Sequence, residues 1–524
     1  MAAHPTALAA NERTTVAAGT PLEASTVLDY LDHWADTTPE AEAFREAGGP
    51  ALTYAELDRA SRALASRLTE QAPGAQRGVL LSANGLVFTV ALFGAMRAGI
   101  QLGLLNPAYA RPEIDALLDV VDPDVVLIGP GHPEVGAIAA PLIRLDGPGT
   151  VEELVRPGAA FTTPPRPAAD DGAVLLFTGG TTGRSKAADH THRNLVRTAE
   201  AMASCWPTGD AGDTWLTLAP MFHVWGLLMG CVNPLRNGAR VIIEGTFDPA
   251  GVCRDLATHR VAVFGGGPPA IYAALLGSGA LASEDLGALR LCPSGGAPMP
   301  AALARSWEEA TGLPIIEGYG MSEAAPLTAN PSPPRFGSAG RPAPGVEIEI
   351  RDLASDEPVA AGASGEVVVR TDRTMRGYLG LAAEGAAVDA AGWFRTGDIG
   401  FLDADGFLFL QGRSKELLIV NGFNVYPREV EEVLVAHPAV REAAVIGVAD
   451  DALGERPFAF VVLAEDRPGI LDEVAGHCRD RLVRHKRPDS LVPLDALPRT
   501  GANKTDKQAL RRLAEERIER GPVP

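Results

Sequence analysis

The sequence predicts an α/β fold: a large N-terminal lobe of doubly wound sheets with a β-rich subdomain, then a small, mobile α+β C-terminal domain. Three observations predict it. From about Leu52 short apolar runs alternate with amphipathic stretches, the signature of a parallel sheet with helices on both faces. Around Phe336 the texture changes to strands separated by short turns. Beyond Gly412 a second alternation begins, and its roughly one hundred residues are enough for a separate core. The 524-residue length also exceeds what one core serves.

The elements follow in order. Thr53-Tyr54-Ala55-Glu56 is a capping box that opens a helix running to about Glu70. Strand-like Val79–Ser82 precedes a helical Phe88–Arg97, and Asp124–Ile128 supplies another strand. Val174–Phe177 is continuously apolar and reads as a buried strand. The loop after it leads to a helix from His192, with Thr191 as its N-cap. Strand Trp215–Leu218, a helix to Gly238, strands Arg240–Glu244, Val261–Phe264 and Leu289–Cys292, and helix Met299–Ala310 continue the rhythm. Val346–Ile350, Gly365–Arg370 and Phe394–Gln411 are the strands of the β-rich part, with a hairpin signal at Asp403-Ala404-Asp405-Gly406. Leu417–Val420, helix Pro427–Ala436, strands Ala443–Val448 and Phe458–Leu463, and helices Leu471–Arg484 and Asp506–Arg520 close the chain. The predicted boundaries are a disordered tail over 1–25, the large lobe over 26–412 with 336–412 as its β-rich part, a hinge at 413–415, and the C-terminal domain over 416–524.

Composition narrows the function. A formal net charge of −20 argues against a nucleic-acid surface, which needs a basic stripe. The five cysteines are scattered and odd in number, so neither a disulfide framework nor a metal spacing follows, and a reducing cytoplasm is the expected compartment. The N-terminal stretch lacks the apolar core of a signal peptide. The most apolar stretch, Leu216 to Leu235, contains His223, two prolines and Asn233 and reads as buried core, so no membrane span is expected.

One stretch organises the chemistry. After the strand at Val174 come Thr178, Gly179, Gly180, Thr181, Thr182, Gly183, Arg184, Ser185 and Lys186. Glycines let successive backbone N–H groups converge on one anion, the hydroxyls add donors, and the lysine adds charge. Gly-x-x-x-x-Gly-Lys-Ser/Thr is absent, so this is not a Walker A loop. Polyphosphate binding fits the composition better than a surface turn.

The other candidates are ambiguous taken alone. His223, in Pro220-Met221-Phe222-His223-Val224-Trp225-Gly226, reads as a structural histidine or as one facing a ligand carboxylate. Ser294-Gly295-Gly296-Ala297-Pro298 is either a tight turn or a place where a planar ring lies on the backbone. Tyr319-Gly320-Met321-Ser322-Glu323 combines an aromatic face with a carboxylate. Asp398 suits two ribose hydroxyls and Arg413 adds a donor, although a turn aspartate and a surface arginine are the plainer reading.

In this order the motifs resemble those of the acyl-adenylating superfamily: acyl- and aryl-CoA ligases, firefly luciferases and the adenylation domains of peptide synthetases. The resemblance covers roughly residues 30 to 515. It implies ATP-dependent activation of a carboxylic acid as an acyl-AMP, followed by thioester formation with CoA. It places Thr178 to Lys186 on the β/γ-phosphates, Gly295, Gly296, Ala297 and Pro298 along the adenine, and Tyr319 stacked on it within Tyr319-Gly320-Met321-Ser322. Glu323 is expected to bind Mg²⁺, and Asp398 and Arg413 the ribose. His223, Gly265, Gly266, Gly267, Ala297, Gly318 and Met321 are expected to line the acyl pocket, the glycines leaving room for an aryl or medium-length tail. Lys415 matches the hinge, Gly422 the face that admits the pantetheine thiol, and Lys504 the catalytic lysine, with Lys507 the lesser candidate.

Four positions depart from the usual pattern: Ser185, Ala187, Asn421 and Asn503. They leave open a stand-alone adenylating enzyme that passes its group to the phosphopantetheine of an acyl carrier protein or to an amine, diazotase-like activation of nitrite included. A non-catalytic nucleotide binder is the third reading, disfavoured by the retained Lys186, Glu323, Asp398 and Lys504.

Overall fold

The computed structural model describes residues 22–130, 140–147, 150–156, 161, 164–178, 186–206, 212–380, 388–421, 423–450, 454–465, 467–499 and 505–519. The tail expected over the first residues therefore lies almost wholly outside the described residues.

Local signals set the helix starts. The Thr53 hydroxyl accepts the Glu56 N–H at 3.2 Å while the Glu56 carboxylate accepts the Thr53 N–H at 2.9 Å, and helix Tyr54–Gln71 follows. Thr191 and Asn194 make the same reciprocal cap ahead of helix His192–Cys205.

Two sheets build most of the large lobe. The first orders its strands Leu142–Arg144, Val125–Ile128, Arg77–Leu81, Gln101–Leu105 and Gly172–Thr178 in parallel, and ends in antiparallel Lys186–Thr191. The second runs Val263–Phe264, Thr214–Thr217, Arg240–Ile243 and Glu42–Glu46 in parallel, with Ala51–Thr53 antiparallel at its edge. The central strands of the first sheet, Val125–Ile128, Arg77–Leu81, Gln101–Leu105 and most of Gly172–Thr178, are buried on both faces, which is why they read as largely apolar runs. Leu142–Arg144, at the edge of that sheet, and Glu42–Glu46, in the second, are only partly covered.

A smaller sheet joins Cys292–Ser294, Ile315–Met321, Ala324–Ala329 and Arg341–Pro342. The β-rich part is a four-stranded antiparallel sheet, Glu347–Arg351, Gly365–Arg370, Phe394–Leu402 and Leu408–Arg413, with the expected hairpin between the last two. In the C-terminal domain Phe423–Val425, Leu418–Val420, Gly454–Leu463 and Val440–Asp450 pair antiparallel, and Ser490–Pro493 adds a parallel strand. Helices Pro427–Val435 and Ile470–Arg481 bury Val430, Leu434, Val474 and Cys478 against one side of that sheet. Helix Lys507–Glu519 places Leu510 and Ala514 on Ile446, Phe458 and Phe460 on the other.

Two expectations are corrected. The glycine-rich loop does not lead directly into a helix: strand Lys186–Thr191 intervenes, in register with Gly172–Thr178 so that Thr178 faces Lys186. Its Lys-Ala-Ala-Asp-His-Thr sequence carries little strand propensity, and pairing with a buried neighbour overrides that. The strand expected over Leu289–Cys292 is Cys292–Ser294, because Leu289 is buried at the preceding turn.

Candidate active site

Three groups of side chains converge where the ends of the sheets meet. The first surrounds Glu323, which follows strand Ile315–Met321 and is buried. Tyr378 donates its hydroxyl hydrogen to Glu323 Oε1 at 2.6 Å, and Lys186 Nζ sits 4.6 Å from the centre of the same tyrosine ring. The Glu323 carbonyl accepts the Met375 N–H at 2.8 Å. One residue earlier, the Ser322 carbonyl accepts His190 Nε2 at 2.7 Å. Burial holds that imidazole below its ordinary pKa, so it is neutral and its N–H is a donor. Thr178 lies opposite Lys186 at the end of the two paired strands.

The second group is Tyr319, Asp398 and Arg413. Asp398 and Arg413 face each other across neighbouring antiparallel strands, and the guanidinium Nε lies 3.2 Å from Asp398 Oδ1. The other oxygen accepts the Tyr319 hydroxyl at 2.5 Å. Thr396 accepts the Asp398 N–H at 3.0 Å and donates to the Val367 carbonyl, which fixes the bend at Gly397 (φ +72°). Burial and the Asp398 charge push the Tyr319 hydroxyl well above its usual pKa, so it stays protonated and donating.

The third group is the wall expected to hold the acid. Ser294 Oγ donates to the Gly267 carbonyl at 2.9 Å, joining the Gly295–Pro298 turn to the Gly265–Gly267 segment. Gly296 is exposed with φ +83°, and Ala297 beside it is half-buried. His223 is half-buried at the start of helix Val224–Leu227, its ring 4.8 Å from that of Phe222. Met321 and Gly320 are half-buried at the end of strand Ile315–Met321.

The glycines do not leave the room expected of them. A Cβ on Gly265 would meet Met229 at 3.1 Å and one on Gly266 the Phe264 ring at 2.6 Å, whereas one on Gly267 would make only ordinary contact with the Trp225 indole at 3.4 Å. Gly295 and Gly318 are likewise covered, by Trp225 at 2.5 Å and Trp206 at 2.6 Å. The two indoles stand edge to face, 6.1 Å apart, and Trp225 Nε1 donates to the Gly265 carbonyl at 3.3 Å. Missing side chains admit rings here rather than open space.

Gly179, Gly180, Thr181, Thr182, Gly183, Gly422 and Lys504 lie outside the described residues. Lys415 is exposed within the one-turn 3₁₀ segment Ser414–Glu416. Lys507 points into its own domain, with Nζ 2.8 Å from Glu416 and 3.3 Å from Glu431. Sequence reasoning missed Tyr378, His190, Trp206 and Trp225. The only signal for Tyr378 was a lone aromatic after Gly377, and its partner Glu323 is 55 residues away.

The profile of the AMP-binding enzyme family matches residues 31–379, and that of the AMP-binding enzyme C-terminal domain matches residues 429–504. The chain belongs to this family. Among its relatives, a feruloyl-CoA synthase of Amycolatopsis sp is 37% identical over 487 residues, which cover 91% of this chain and 96% of the relative. Among solved structures, the ATP-bound RpMatB-BxBclM chimera B1 superposes with a TM-score of 0.86 at 30% identity over 93% of this chain and 98% of the other. The anthranilate CoA ligase AuaEII in complex with anthranoyl-AMP gives 0.84 at 25% identity, over 93% and 97%. Among the described residues no helix is long and apolar enough to cross a membrane.

Proposed function

We propose that the protein is an AMP-forming acid–thiol ligase acting on an aryl or medium-chain carboxylic acid. In the first step the acid's carboxylate oxygen attacks the α-phosphorus of ATP, the bond to the bridging oxygen breaks and pyrophosphate leaves. In the second the CoA thiol attacks the acyl carbon, loses its proton and releases AMP. The observation that carries this reading is the convergence of two clusters near one strand end: Tyr319 with Asp398 and Arg413, and Glu323 with Tyr378 and Lys186. One offers a carboxylate and a guanidinium to a ribose. The other offers a cation and a buried carboxylate to a metal-bound polyphosphate.

Each residue has a part in that chemistry. Thr178, Lys186 and the loop between them hold the β/γ-phosphates, whose negative charge grows as pyrophosphate departs. The turn from Gly295 to Pro298 and the Tyr319 ring border the base. Lys504 brings an ammonium to the carboxylate and α-phosphate, and rotation about Lys415 then exchanges it for the Gly422 face and the thiol.

Glu323 fits Mg²⁺. It is a buried carboxylate with one oxygen committed to Tyr378, and among the described residues no group of three or more metal-ligating side chains exists. An ion bound through one carboxylate, with phosphate and water completing its shell, matches that donor set. Bound there, the ion would neutralise phosphate charge.

Two of the relatives favour an aryl acid, one being named for feruloyl-CoA and another holding anthranoyl-AMP, while others are named long-chain-fatty-acid–CoA ligases. The two indoles that line the wall suit a flat ring. The test is acid-dependent ATP–pyrophosphate exchange across hydroxycinnamic, benzoic and medium-chain acids, with mass spectrometry of products formed with and without CoA. A CoA thioester of an aryl or medium-chain acid is expected. Exchange with no thioester, or transfer only to a carrier protein's phosphopantetheine, would overturn the CoA step; no exchange with any acid would overturn the whole reading.

A further inference from the structure

Tyr378 stands between two opposite charges that the proposed reaction uses together. Its hydroxyl holds Glu323 Oε1 at 2.6 Å, and its ring face carries Lys186 Nζ at 4.6 Å. Among the described residues Lys186 enters no ion pair. The tyrosine is fixed through its backbone on both sides. It forms an antiparallel bridge with Ala188; the Leu379 N–H donates to the Ala187 carbonyl at 2.9 Å and the Asp189 N–H to the Gly377 carbonyl at 3.0 Å. Arg376 grips the Asp189 carboxylate at 2.9 and 3.0 Å, and the Met375 N–H binds the Glu323 carbonyl. The ring is thus tied to the strand of Lys186 and to the turn of Glu323.

An ammonium and a carboxylate that share one half-buried neighbour tend to collapse onto each other, and such a pair is satisfied before any ligand arrives. A ring between them prevents that. Its face attracts the ammonium more weakly than a carboxylate would, and its hydroxyl occupies one carboxylate oxygen while leaving the other.

We propose that Tyr378 is a positioning residue that keeps Lys186 and Glu323 apart and aimed, so that both engage one metal–polyphosphate unit. The inference rests on the reading of Lys186 and Glu323 given under the proposed function. Tyr378 itself touches neither the reacting phosphorus nor the acid. Its role is to make ATP binding depend on Mg²⁺.

The test is calorimetric titration of ATP into the full-length protein, without divalent ion and across a Mg²⁺ series, for wild type, Tyr378→Phe, Tyr378→Leu and Glu323→Gln. Thermal melts accompany each variant. Tyr378→Phe keeps the ring and loses the hydroxyl; it is expected to weaken ATP binding about tenfold in saturating Mg²⁺ while leaving metal-free binding unchanged. Tyr378→Leu frees Lys186 to pair with Glu323, so it is expected to weaken binding in both conditions. A generic packing defect would instead lower both affinities in Tyr378→Phe together with its melting temperature, and that result overturns the inference. So does wild-type Mg²⁺ dependence in Tyr378→Phe. If Glu323→Gln leaves the Mg²⁺ dependence intact, the assignment of Glu323 falls and takes the inference with it. Failure of Tyr378 alone, with Glu323→Gln still defective, leaves the proposed function standing.

Discussion

Tyr319 and Asp398, 79 residues apart in sequence, are joined by a 2.5 Å hydrogen bond from the phenol to a carboxylate that also faces Arg413. The bond connects the sheet that carries Glu323 to the β-rich sheet, and so sets the distance between the proposed base-stacking ring and the proposed ribose acceptor.

If Asp398 receives the ribose, Asp398→Asn is expected to raise the KM for ATP by about ten- to a hundredfold, the loss of one or two hydrogen bonds to a charged acceptor. Tyr319→Phe removes the same bond from the other side and keeps the stacking face, so its effect should be smaller. A double-mutant cycle in ATP–pyrophosphate exchange measures the coupling, and strict additivity would contradict it.

The indole-covered wall makes a second prediction. Gly295→Ala and Gly318→Ala each drive a methyl group into a tryptophan ring, at 2.5 and 2.6 Å, and should cost about 1–3 kcal/mol of stability. Trp225→Ala removes the ring over Gly295 and Gly267, and should shift the ratio of kcat/KM values toward longer or bulkier acids. Denaturant titration and a competitive acid panel read the two effects separately.

Glu317 predicts a pH dependence. Burial pushes its carboxyl up to about 7; Arg428 of the C-terminal domain and the Met299 N–H oppose this, and Glu432 reinforces it. The folded protein therefore holds this proton between the ordinary value of 4.5 and about 7, where the unfolded chain has released it. Stability should fall as pH rises through that window and level off above it. Glu317→Gln, which cannot ionise, should flatten the decline in melting temperature over the same range. An unchanged slope would count against the assignment.

The two C-terminal lysines should separate cleanly. Lys504→Ala is expected to slow adenylation by about a hundred- to a thousandfold, while thioester formation from preformed acyl-AMP persists. Lys507→Ala leaves Glu416 and Glu431 without their shared cation, and should lower stability by about 1–3 kcal/mol with turnover per folded molecule near wild type. Single-turnover assays of each half-reaction and denaturant melts distinguish them.

The sequence by itself determined the capped helix starts at Tyr54 and His192, the order of the motifs and the family. A cap such as Thr53 with Glu56, or Thr191 with Asn194, spans three residues and needs no partner from elsewhere. Buried strands such as Gly172–Thr178 announce themselves by composition. Only the tertiary structure decided what each functional group touches. Lys186–Thr191 became a strand because a neighbouring edge was there to pair with it. The glycines at 295 and 318 became seats for Trp225 and Trp206, and Lys507 was taken up by Glu416. His190 and Tyr378 reach Ser322 and Glu323 across 132 and 55 residues. Such contacts leave no periodic trace in the chain, because their geometry is fixed by how sheets meet and not by the spacing of neighbours.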